Sequence, residues 1–205
     1  MNERNIIIAA RTLGSLFNPF YLPVVAIIAL FTFSYLSLLP WFYKLTVLAI
    51  VYVFTALMPT MLIRMYQKYE GWTFFELYAK DKRIIPYVIS IACYLACYYF
   101  MCLLHIPHFM GCIVVAALII QMACAIANLW WKISTHTAAI GGMAGALMGF
   151  AGMFGFNPVW WLCAIIILAG LVGTSRMIMR QHTLGQVGGG FLLGLVAAYA
   201  TVILM

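Results

Sequence analysis

Acidic residues are the scarcest feature of this chain. Its 205 residues include four: Glu3, Glu70, Glu76 and Asp81. One lies at the N-terminus and three share one polar stretch, so no long apolar run contains an acid. A two-metal phosphoryl site needs several converging carboxylates. The Asp-rich Mg²⁺ motifs of prenyl-diphosphate enzymes need them too, and neither set can be assembled here. Proton-coupled transporters rely on acids within their spans, which argues against that class.

Charge of either sign is sparse. Charged residues make up 7% of the chain against 67% hydrophobic, and mean hydropathy is +1.09. A soluble domain carries about 25% charged residues. The composition predicts an all-α polytopic membrane protein, a bundle of about six to seven transmembrane helices in a single domain, 1–205. The apolar run after Phe20 exceeds the roughly 7–15 residues of a signal-peptide core, and reads as a retained span. The six cysteines all fall inside apolar runs without zinc-type spacing. They read as small core residues; no cofactor and no metal site are expected. The net charge of +7 lies mostly in short loops. That favours topology and anionic lipid or phosphate over nucleic acid.

Residues 1–19 read as an interfacial segment with Arg4 and Arg11 on its wet side, ended by Asn18-Pro19. Seven crossings are expected, near 20–39, 45–63, 84–104, 109–130, 138–156, 159–173 and 184–205, with a kink at Pro59. Residues 64–83 interleave charges with aromatics and read as an amphipathic loop. Gly141, Gly145 and Gly149, and a second set from Gly185 to Gly194, offer small-residue faces for close helix packing.

Two polar islands stand out in region 132–190. One is Lys132-Ile-Ser134-Thr-His136-Thr137. The other runs from Ser175 to Gln186, with Arg176, Arg180 and His182. By parity both islands and the 64–83 loop share one membrane face, while His105 and His108 lie on the other. Two histidines among Arg and Lys, without acids, suit a phosphate. Arg binds phosphate bidentately, one His can attack phosphorus, and the other can protonate the leaving oxygen. Backbone N–H groups at Ser134–His136 would add donors at a helix N-terminus.

These residues resemble the type-2 phosphatidic acid phosphatase superfamily, which includes lipid phosphate phosphatases and vanadium haloperoxidases. Its third motif, S-R-x5-H-x3-D, is matched by Ser175-Arg176, His182 and, in the Asp position, Gln186. Its second, P-S-G-H, is matched by Ile133-Ser134-Thr135-His136. The first, K-x6-R-P, is met only loosely by Lys80-x2-Arg83-x2-Pro86. The resemblance implies His182 as nucleophile, His136 as general acid, and Gln186 in place of the Asp that orients the nucleophile. It implies Arg176 and Ser134 as phosphate ligands, joined by Arg83, Lys80 and Lys132. It covers 132–190 well, 80–86 loosely and 1–79 not at all. The family's familiar membrane forms have six spans.

The expected function is therefore a metal-independent lipid phosphate phosphatase of the cell (inner) membrane, acting through a phosphohistidine. Its partners would be a membrane lipid phosphate and the bilayer, with no nucleic acid. The alternatives are a non-catalytic relative that binds phospholipid or scaffolds a complex, a lipid phosphotransferase, and a small transporter. Ten of the eleven Lys and Arg residues share the motif face and Lys44 alone is opposite. The positive-inside rule then places that face in the cytoplasm.

Overall fold

A computed structural model describes residues 3–33, 35–71 and 84–205. Among them the secondary structure is helical throughout. The helices are α1 (Glu3–Leu16), α2 (Leu22–Phe33), α3 (Trp41–Tyr52), α4 (Met58–Glu70), α5 (Ile84–Leu103), α6 (His108–Trp130), α7 (Thr135–Phe154), α8 (Val159–Ile178) and α9 (Leu184–Leu204). Among the described residues six stretches are long and apolar enough to cross a membrane: Trp41–Glu70, and α5 to α9. The chain is a multi-pass membrane protein.

The expected first span, 20–39, is the main departure. It forms only the 12-residue α2 and a 3₁₀ turn, Tyr35–Leu38. An α-helix of 12 residues covers about 18 Å, short of the ~30 Å hydrocarbon core. Among the described residues six helices are long and apolar enough to span, within the six to seven expected. Apolar runs reveal hydrophobic length, but not how much of it is regular α-helix. Here α2 starts at Leu22, close to the expected bound, and Pro40 ends the segment.

The next span is longer than expected. Trp41–Glu70 runs on through a π-helical turn, Val53–Leu57, immediately before Pro59. Proline has no N–H for the preceding turn and its ring crowds that turn's carbonyl. A widened turn absorbs both faults without ending the helix. The 64–83 stretch is helical as far as Glu70, and 72–83 lie outside the described residues.

α7 and α9 form the most intimate pair. A Cβ at Gly141, Gly145 or Gly194 would run into the backbone of Phe191, Leu195 or Ala138 respectively. Without side chains at these positions, the two backbones approach directly, the packing available to helices in lipid. The seam ends at the two polar islands. Gly190 lies under the Ser134 carbonyl, and the Trp131 ring covers Gly189. α6 packs on α5, α7 and α9; α8 packs on α7; and α1 lies against α8.

Candidate phosphate site

The starts of α7 and α9 are tied together by backbone. Ser134 N donates to Gln186 O at 3.3 Å, joining the two islands directly. Thr183 caps α9 in a reciprocal capping box: its side chain accepts from the Gln186 backbone, and Gln186 Oε1 accepts from Thr183 N at 3.2 Å. Such a box satisfies two N–H groups that helix geometry leaves without acceptors.

That same Oε1 lies 3.3 Å from His182 Nδ1. The cap fixes the amide with its oxygen toward Thr183 N, so the atom beside Nδ1 is an acceptor. In the neutral ring Nδ1 then carries the proton and Nε2 holds the lone pair. Gln186 therefore sets the tautomer a nucleophilic histidine needs. It supplies no charge for the imidazolium.

Arg176 sits in the last turn of α8 and is buried, 4% exposed. Its Nη1 donates to Gln181 Oε1 at 2.9 Å. The turn beyond α8 brings Gln181 back to it. Arg180 N bonds Met177 O and Gln181 N bonds Arg176 O, with Arg180 left-handed at φ 53°. This is a Schellman-type stop with arginine where glycine is usual.

A cavity of ≈ 220 Å³ collects these groups. His136, Arg176, Gln181 and His182 line it together with Thr135 and Gln121. About 10–15 Å³ of such space holds one water, so a phosphate head group and its water fit. Asn18, Pro19 and Phe20 from the α1–α2 link, Ile63 from α4, and Pro86, Tyr87 and Ser90 from α5 complete the wall. The Phe20 carbonyl accepts from Thr55 Oγ1 at 3.4 Å, and Asn18 Oδ1 accepts from Phe20 N at 3.3 Å, which secure that link. A narrower apolar cleft of ≈ 50 Å³ adjoins it, sharing Pro19, Gln121 and Thr135. It runs between α2, α6 and α7, past Ala116, Ala139, Gly142 and Ala146.

The structure thus brings His136, His182 and Arg176 to one cavity and puts Gln186 against His182. Ser134 is fully buried at the α7 N-cap, and Thr135 and His136 line the wall instead. The Ser134 hydroxyl has no hydrogen-bond partner among the described residues. Lys132 is half-buried in the link between α6 and α7. Lys80 and Arg83 lie outside the described residues. Sequence reasoning missed Gln121, Gln181 and Asn18. Gln121, a buried amide inside the apolar α6, carried a usable signal, since a polar side chain within a span marks a polar neighbour or cavity. Among the described residues no three His, Cys, Asp or Glu gather as a metal site would require. Comparison with protein-family models, curated proteins and solved structures finds no match.

Proposed function

We propose that the protein is an integral-membrane lipid phosphate phosphatase that works without a metal, through a phosphohistidine at His182. The observation that carries this reading is the convergence of two histidines and a buried arginine on one cavity beside an apolar cleft. In the first step His182 Nε2 attacks phosphorus as the bond to the lipid oxygen breaks. His136 gives that oxygen its proton. Arg176 meets the charge on the remaining phosphoryl oxygens. Water then attacks phosphorus as the bond to His182 Nε2 breaks and its electron pair returns to the ring, His136 takes the water's proton, and inorganic phosphate leaves. The adjoining cleft favours a lipid ester over a soluble one, because an alkyl chain fills it without leaving a polar group unpaired. The positive-inside balance argues for a cytoplasmic site.

Phosphate release by purified protein tests this, using phosphatidic acid, phosphatidylglycerol phosphate and prenyl diphosphates in EDTA. Release should survive chelation and fall by about 10³-fold or more in His182→Ala, the scale of losing a nucleophile. Gln186 favours one other reading. Its oxygen is already engaged as a helix cap and brings no charge to His182, which suits a phospholipid-binding relative that does no chemistry. Folded protein that binds lipid phosphate but releases none would establish that reading instead.

A further inference from the structure

The N-terminal helix reaches the same arginine. Gly14 is buried on α1, and the Arg176 guanidinium fills the space a side chain there would take. A Cβ at Gly14 would lie 2.5 Å from Arg176 Cζ, inside any real contact. On another side, Gln181 Oε1 accepts from Nη1. The guanidinium is therefore bounded by a helix backbone and by an amide, and Arg176 is among the residues that line the cavity. The α1–α2 link forms part of the same wall, so α1 is joined to the site twice.

We propose that Gly14 and Gln181 are positioning residues that hold the Arg176 guanidinium toward a bound phosphate, so that the seating of α1 sets phosphate affinity. This rests on reading Arg176 as a phosphate ligand. The choice of amide at 181 has a chemical reason. A carboxylate there would bond Arg176 more strongly. It would also neutralise the guanidinium and repel the incoming anion. An amide holds the arginine in place and adds no negative charge beside it. Glycine at 14 has a steric reason: even one methyl must push the guanidinium aside. The displaced group is the far end of a flexible side chain, so the fold tolerates the change and the geometry of the cation does not.

The test uses the full chain in detergent, with inorganic phosphate as the probe and melting temperature as the first readout. Binding is measured for wild type, Gly14→Ala, Gly14→Val, Gln181→Ala and Gln181→Glu. Gly152→Ala serves as control, since a Cβ there meets nothing within 4 Å. Gly14→Val and Gln181→Glu should each weaken phosphate binding by about tenfold or more, the scale of one charge-assisted contact. Gly14→Ala should weaken it less, and Gly152→Ala not at all. Gln181→Glu decides between roles. A purely structural partner of Arg176 would be improved by a carboxylate, giving an equal or higher melting point and unchanged affinity. Positioning for an anion predicts retained melting point and lost affinity. Should Gly14→Val fail to fold, Gly14→Ala and Gln181→Glu carry the same contrast. Wild-type affinity in Gly14→Ala and Gln181→Glu overturns the proposal while leaving the phosphatase reading intact. Wild-type protein that neither binds phosphate nor releases it from lipid overturns both.

Discussion

Gly194 and Gly14 both yield their side-chain space to a neighbour, and the neighbours differ in kind. At Gly194 the neighbour is backbone: a Cβ would lie 2.7 Å from the Ala138 carbonyl carbon and 2.9 Å from Gly142 N. At Gly14 it is the tip of an arginine. The first contact belongs to the α7–α9 seam, which sets the two histidine-bearing islands in register. The second belongs to the α1–α8 contact, which seats the cation. Backbone cannot move without carrying its helix along, whereas a guanidinium can swing on its stem. The seam is therefore structural throughout, and the arginine clamp is adjustable.

The largest expected effect breaks this comparison at the seam. Gly194→Leu forces α7 and α9 apart along their closest approach. Overpacking costs about 1–3 kcal/mol and more where nothing can yield, and here both obstacles are main chain. Folded, monodisperse protein should be lost or its melting temperature sharply lowered, as size-exclusion profiles and thermal melts will show. A folded Gly194→Leu protein would mean that the seam is looser than its geometry requires, and that the contrast with Gly14 is one of degree.

A smaller effect sharpens the seam side. Gln186 holds the His182 tautomer but lends no charge. Gln186→Glu keeps the side-chain length, keeps the capping box, and places a carboxylate beside the imidazolium that forms in the reaction. In a serine protease an amide in place of the orienting Asp costs about 10⁴-fold, chiefly by imposing the wrong tautomer; here the tautomer is already right, and only the smaller charge effect remains to be gained. A gain of about tenfold or more in turnover is therefore expected, read as initial rates of phosphate release. Gln186→Asp also supplies a carboxylate but is one methylene shorter, so it should gain less at this geometry. A fall in rate for both would show that the site depends on the amide.

The six long helices were legible because hydrophobic length survives any packing arrangement. The islands around His136 and His182 were legible for a related reason: cations in a greasy chain must collect where water or an anion meets them. What the sequence hid was reach. Nothing in Gln181 marks it as the partner of Arg176; that depends on a left-handed Arg180 turning the chain back. Nothing in Gly14 marks it as the seat of a guanidinium 162 positions later, because that contact comes from how α1 lies on α8. Asn18-Pro19 read only as a turn, whereas the link also forms part of the cavity wall.

The smallest prediction tests the clamp side at Arg180. Its φ of 53° places an arginine where an L-residue meets its own carbonyl, at a cost of about 1–2 kcal/mol. Glycine removes that cost but adds freedom to the unfolded chain, which returns up to about 1 kcal/mol. Arg180→Gly should therefore raise the melting temperature slightly or leave it unchanged. Arg180 is exposed and absent from the cavity wall, so phosphate affinity should not move. A loss of affinity with the fold retained would give Arg180 a part in drawing the anion in. The cation set would then extend beyond Arg176, and the Gly14 contact would seat only one member of it.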